Sequence, residues 1–232
     1  MIILCSPAKT MRTSDNKGNT IPMFIEDAKA IVDKLKLASD ESMAVRFGVN
    51  SKLASKICCM YKQWDDEGTC CALDSFNGLQ FKQLDSLNLT PSQRQYAYEH
   101  LYILSGLYGI LKASDNISAY RLDLRDGIDI INLYQDRILT YLKGKTCLNL
   151  TSKEYSDLID DYGVKVSFLN RKKDKLVNLA TYSKMQRGKM LKYCIENEIA
   201  DISDIKSYNK DGYVFNEELS SDECFVFVKE EE

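Results

Sequence analysis

One histidine, one tryptophan and three prolines in 232 residues leave several kinds of chemistry without the side chains they need. With His100 the only imidazole, no cluster of acids and histidines can form, so direct iron handling is not expected. Eight cysteines are present, but no two have C-x-x-C spacing, the turn that usually shapes a structural zinc site. Cys58–Cys59 and Cys70–Cys71 are vicinal pairs, and a four-thiolate site built from them is the one metal arrangement left open. The expectation is no metal, no cofactor and reduced thiols, with Cys5, Cys147, Cys194 and Cys224 serving as small apolar core residues. No apolar run approaches the roughly 20 residues that span a bilayer, so no membrane partner is expected. MIILCSPAKT at the start lacks a basic leader region, which suggests a cytoplasmic protein. An excess of positive charge is missing too. The formal net charge is −3, so any phosphate site has to be a local basic patch. Neither the P-loop pattern nor G-x-G-x-x-G occurs.

What is present is ordinary for a globular chain: 44% hydrophobic and 28% charged residues, consistent with one domain over 1–232 and an acidic tail at 229–232. Its organising stretch is Leu101–Gly127. An apolar run, Leu101–Leu104, enters Ser105 and two glycines, Gly106 and Gly109, and the stretch goes on to Tyr120–Arg121. This reads as a buried strand delivering a turn. Residues 1–5 read as another strand. Helices are predicted from Pro22 to Leu37, from Asp40 to Phe47 and from Ser51 onward. Residues 71–76 read as a strand. Thr90-Pro91-Ser92-Gln93 opens a helix with a capping box, and Thr151 with Glu154 is a second candidate box. Ile131–Lys143 is an amphipathic helix ended by Gly144. Strands follow at Thr146–Leu150, Val164–Leu169 and Leu176–Tyr182. A long helix starts at Ser183 and Gln186, and short strands lie at Tyr213–Phe215 and Cys224–Val228. Strands and helices interleave without strict alternation, which gives α/β or α+β with a mixed sheet and surrounding helices.

Charge is concentrated late in the chain. Residues 171–192 hold Arg171, Lys172, Lys173, Lys175, Lys184, Arg187, Lys189 and Lys192 against one acid, Asp174. Lys184 and Arg187, three apart in the predicted first helical turn, would converge with the helix dipole on an anion, and Gly188 would permit close approach. Ser6-x-x-Lys9 and two S-D-N triplets match parts of the serine acyl-enzyme pattern. K-T-G is absent, so that chemistry is not expected. Gly106-Leu107-Tyr108-Gly109 fits a backbone clamp for nucleic acid or the glycine hairpin of a helix-hairpin-helix element.

Several motifs occur in a fixed order: S-P-A-K-T at Ser6–Thr10, L-S-G-L-Y-G-I-L at Leu104–Leu111, Y-R-L-D at Tyr120–Asp123, N-L-T-S-K-E-Y at Asn149–Tyr155, R-G-K-M at Arg187–Met190, I-E-N at Ile195–Asn197 and D-G-Y-V-F at Asp211–Phe215. Over nearly the full length the chain resembles the bacterial YaaA family of peroxide stress proteins. The resemblance implies cytoplasmic protection against hydrogen peroxide, a link to limiting free iron, and DNA binding. It also implies a single α/β-type domain with a basic cleft and a helix-hairpin-helix-like element. It marks Ser6, Lys9, Ser105, Gly106, Tyr108, Gly109, Arg121, Lys184, Arg187 and Gly188. Lys112-Ala113 stands where the family usually has Arg-Pro, Ala119 where it has Pro, and Leu79 where an acid is expected after F-x-G.

Lys9, Arg121, Lys184 and Arg187 are therefore expected to converge on one anion-binding cleft. The preferred reading is sequence-independent DNA binding through phosphates. The alternative is an enzyme acting on a small phosphorylated or carboxylated metabolite, with Lys9 as base or nucleophile assisted by Ser6 or Tyr108. An open groove favours the first and a small closed cavity the second.

Overall fold

A computed structural model describes all residues except 174, 231 and 232. The chain opens with β1 (Ile2–Cys5), wholly buried, and continues through three helices, α1 (Ile25–Lys36), α2 (Asp40–Phe47) and α3 (Ser51–Lys62). Ala28, Ile31, Val32 and Leu35 recur at helical spacing and give α1 its buried face. The helices α2 and α3 are capped by Ser39 and Asn50, one residue before the predicted caps; each side-chain oxygen accepts an orphan N–H of the first turn. Next come β2 (Cys70–Cys71), α4 (Ala72–Ser75), α5 (Leu79–Leu84) and α6 (Pro91–His100). The predicted strand at 71–76 is thus cut to two residues. The Ser75 hydroxyl bonds the Cys71 carbonyl at 2.8 Å, and Asp74 turns inward to Arg94 at 2.8 Å, which coils the chain. At Thr90 the capping box is complete, with both reciprocal bonds formed.

From α6 the chain passes directly into β3 (Leu101–Ser105), β4 (Gly109–Lys112) and β5 (Asn116–Ile117). There follow α7 (Ile130–Leu142), β6 (Cys147–Leu150), α8 (Lys153–Ser156), β7 (Val164–Lys172), β8 (Lys175–Val177), α9 (Ala180–Glu196), β9 (Tyr213–Phe215) and β10 (Cys224–Lys229). Thr151 caps nothing. Its hydroxyl bonds Asn149 Oδ1 at 2.7 Å, and Ser152 takes the cap position of α8. The predicted strand to Tyr182 stops at Val177, and α9 begins at Ala180. Ser183 lies buried within α9, donating to Asn178 Oδ1 at 2.9 Å, rather than starting it. In the predicted acidic tail, Lys229 closes β10 and Glu230 pairs with Arg171 at 2.7 Å; residues 231 and 232 lie outside the described residues.

The fold is α/β, built on a mixed eight-stranded sheet of order β4-β3-β1-β6-β7-β10-β9, with β8 on β7. Strands β3, β1, β6, β7 and β10 run parallel, while β4, β8 and β9 add antiparallel pairs. The uniform burial of β1, β3 and β6 fits strands covered on both faces, where each Leu or Ile removed from water contributes about 1.5–3 kcal/mol. Buried apolar residues form one cluster from Ile2 to Phe227. No helix among the described residues is long and apolar enough to cross a membrane.

This topology fixes where a site can lie. From β1 the chain moves to β3 on one side, and later returns to β6 on the other. The loops leaving the carboxyl ends of β1 and β6 therefore diverge and open a crevice, the usual ligand position in parallel sheets.

Candidate anion site at the head of the sheet

The crevice is a cavity of about 270 Å³. The loop after β1 supplies Ser6 to Thr10, the loop after β6 supplies Ser152, α8 supplies Glu154 and Tyr155, and α5 and α9 supply Gln80, Lys184 and Arg187. A wider hollow of about 530 Å³ beside Cys59, Met60 and Trp64 has one charged lining residue, Lys56, and no convergent set of charges.

The two loops are tied together at the switch point: Ser152 N donates to Ser6 Oγ at 2.8 Å, and the two hydroxyls lie 3.1 Å apart. Asp123 sits at the centre of one wall. Its carboxylate takes the Lys9 ammonium at 2.8 Å on one oxygen and the Tyr155 hydroxyl at 2.8 Å on the other. The Asp123 backbone N–H donates to Asp126 Oδ2 at 2.7 Å. The hydrogen bond to Asp123 raises the pKa of Lys9; partial burial opposes this, and the charges of Asp123, Glu154 and Asp126 add to the rise. Burial, with Tyr120 and Asp123 nearby, pushes the Tyr155 phenol well up. Lys9 is thus held as an ammonium, the opposite of what a general base or amine nucleophile needs.

The other wall is unsatisfied. Neither Lys184 nor Arg187 has an ion-pair partner among the described residues. Burial pushes the Arg187 pKa down. The Gln80 amide nitrogen is buried with no hydrogen-bond partner, in a side chain 8% exposed. Close packing of α5 on α9 brings these donors together. A Cβ on Gly188 would lie 2.8 Å from the Gln83 Cβ and collide with the Gln80 carbonyl. Gly188 therefore serves helix packing and not anion approach.

Of the predicted site residues, Ser6, Lys9, Lys184 and Arg187 come together in this cavity. Lys184 and Arg187 stand in the second turn of α9, because the helix begins at Ala180, so its first-turn N–H groups do not join them. Arg121 is not among the lining residues. Its carbonyl is held by the Tyr61 hydroxyl, and Asp123, two residues on, occupies the cavity wall instead. The glycine turn is a correction. Gly106–Gly109 joins strands β3 and β4 rather than two helices, and its residues are buried. Ser105 Oγ accepts the N–H groups of Leu107 (3.2 Å) and Tyr108 (2.9 Å) and bonds Tyr120 Oη at 2.7 Å, so these two N–H groups of the turn are spent within the protein. The Tyr108 hydroxyl takes the Trp64 indole N–H at 3.0 Å and is used in the core. Gly106 is required because Leu122 crosses it: a Cβ there would lie 2.9 Å from the Leu122 carbonyl carbon and closer still to its oxygen. The turn thus sets the height of the segment that carries Asp123. At Gly109, φ is +68° and a Cβ would reach the Tyr134 ring at 2.9 Å.

Sequence reasoning missed Asp123, Glu154, Tyr155, Ser152 and Gln80 as site residues. The first four lie inside the Y-R-L-D and N-L-T-S-K-E-Y motifs, where the signal was available. Gln80 carries no local signal.

Comparison with known proteins agrees with the motif order. A family model described as "Peroxide stress protein YaaA" matches residues 1–219. The chain is 37% identical over 239 residues to a UPF0246 protein of Finegoldia magna, covering 99% of this chain and 98% of that one. A UPF0246 protein of Clostridioides difficile is 34% identical over 248 residues, covering 99% and 100%. Another, from Francisella tularensis, is 31% identical over 254 residues, again covering 99% and 100%.

Proposed function

Since the chain belongs to the YaaA family of peroxide stress proteins, we propose that it acts in the cytoplasmic response to peroxide by binding a phosphate group at the head of β1. One observation carries this reading. Arg187, Lys184 and the Gln80 amide nitrogen form a set of donors lacking a protein acceptor around one small crevice. An acceptor-rich dianion supplies what each of them lacks. The raised pKa of Lys9 supports a binding pocket over an acid–base centre. The small size of the crevice, about 270 Å³, favours a small phosphorylated molecule over a duplex backbone. Any effect on free iron is then indirect.

A second reading, sequence-independent DNA binding, rests on α2 and α3. They form a helix pair joined by Gly48, Val49 and Asn50, with Gly48 in the left-handed region at φ +57°. Exposed Arg46, Lys52 and Lys56 flank the hairpin. This reading takes the α2–α3 pair, and not Gly106, as the helix-hairpin-helix element that the resemblance implies. N–H groups of the first turn of α3 would meet a phosphate.

The two sources of phosphate separate in one experiment. Calorimetric titration of the full chain with inorganic phosphate, and fluorescence titration with a duplex at several salt concentrations, are run on wild type, Arg187→Gln and Lys52→Ala/Lys56→Ala. The pocket reading expects phosphate binding that Arg187→Gln abolishes and the double variant keeps. DNA binding through α2 and α3 expects the reverse pattern, with log K falling by about 0.9 per phosphate contact for each log unit of salt. Wild type that binds no phosphate removes the pocket reading.

A further inference from the structure

The cavity has a second unsatisfied wall of opposite chemistry. Glu154 lines it and has no hydrogen bond or ion pair among the described residues. Its charge reaches Lys9, whose ammonium is already bonded to Asp123 at 2.8 Å. The donors Lys184, Arg187 and Gln80 line the same cavity, and neither cation has an ion pair with Glu154 or Asp123 among the described residues. A bare phosphate answers those donors and leaves Glu154 accepting from solvent alone. The ligand that satisfies both walls bears an anion at one end and hydrogen-bond donors at the other. A second ammonium is the poorer donor here, because Lys9 already sets one beside both carboxylates. Neutral hydroxyls fit without that repulsion. A volume of about 270 Å³ lies at the small end of ligand pockets and suits one sugar ring with its phosphate.

Resting on the phosphate-pocket reading above, we propose that the ligand is a sugar monophosphate, with its phosphate on Arg187, Lys184 and Gln80 and its hydroxyls on Glu154. Glu154 is then the residue that distinguishes a phosphorylated sugar from free phosphate. The amide of Glu154→Gln keeps shape and one acceptor but loses the charge that strengthens a hydroxyl's bond.

The test is calorimetric titration of the full-length chain with ribose 5-phosphate and, separately, inorganic phosphate. Wild type is expected to bind ribose 5-phosphate about tenfold or more tightly than phosphate, the discrimination one or two bonds to a charged acceptor provide. Glu154→Gln should bring the two affinities within about threefold by weakening only the sugar phosphate, and Glu154→Asp should recover part of the preference. Arg187→Gln should lose both ligands. Equal affinities in wild type, or a preference unchanged in Glu154→Gln, overturn this inference and leave the phosphate pocket standing. Failure of both ligands to bind wild type overturns the two together. Glu154 is partly exposed in the short helix α8, and a thermal melt of each variant checks that its fold is retained.

Discussion

Replacing Arg187 by Met should make the unliganded protein more stable and blind to phosphate. The guanidinium is half-buried among α9, α5 and the loop after β1, and burial pushes its pKa down without a carboxylate to answer it. A folded-state pKa below the unfolded value, for a cation, means that folding disfavours the charged form. That cost is fully present wherever the pH is below the folded pKa, so it is constant across about pH 5–9. Methionine keeps much of the aliphatic volume and removes the charge, and such exchanges stabilise by about 1 kcal/mol. In a chain of this size each kcal/mol moves the Tm by about 2–4 °C. Ligand acts in the opposite direction. At a hundred times its Kd, phosphate adds about 2.7 kcal/mol to wild type, a rise of about 5–10 °C. Differential scanning calorimetry with and without phosphate reads both effects. Arg187→Met should start about 2–4 °C above wild type and not respond. A variant that melts lower than wild type would mean that Arg187 holds the fold together. A variant that melts higher but still gains from phosphate would put the anion elsewhere.

Gly106→Ala should destabilise by about 3 kcal/mol, because the new Cβ meets the Leu122 carbonyl; urea unfolding measures it. Lys9→Met should cost under about 1 kcal/mol, since the Lys9 side chain is 62% exposed and its pairing with Asp123 is screened. The raised pKa of Lys9 gives a contribution fully present below about pH 10.4 and lost as pH climbs through the folded value. The stability gap between Lys9→Met and wild type should therefore be flat from about pH 6 to 9 and close above about pH 10.5 in urea titrations. Arg94→Met should cost about 3–5 kcal/mol, because it strands the fully buried Asp74, one of whose oxygens already has no partner.

Much of the fold was legible because its signals are local. The buried strands at Ile2, Leu101 and Cys147, the capping box at Thr90 and the apolar stripe of α1 each follow from a few neighbouring residues. Three misplaced boundaries turn on side chains whose hydroxyls are bonded to groups a few residues away in the chain. Ser75, Thr151 and Ser183 bond inward to Cys71, Asn149 and Asn178, so their hydroxyls were unavailable as the expected strand or cap residues. Within the site, Lys184 and Arg187 stand out by the basic stretch that holds them and Lys9 by the S-P-A-K-T motif. The Y-R-L-D motif contains Asp123, but its pairing with Lys9 and Tyr155 shows only with residues 9, 123 and 155 in one place. The glycines at 106 and 109 were read as a surface for ligand because spacing does not record burial. Here they let a backbone segment pass and rings pack.

The placement of β1 bears on how fast a ligand reaches the pocket. Its residues are in register with Cys147–Leu150 on one side and Leu101–Ile103 on the other. Amides there should exchange with solvent only on unfolding of the whole sheet, so the floor of the pocket does not breathe. The parts of the rim free to move are side chains: exposed Lys184, and Lys9, which reorients in picoseconds to nanoseconds once it leaves Asp123. Entry is then governed by diffusion and by exchange of one ion pair, without a microsecond loop closure. Relaxation dispersion over residues 6–10 should be flat, and association should slow as salt screens the approach.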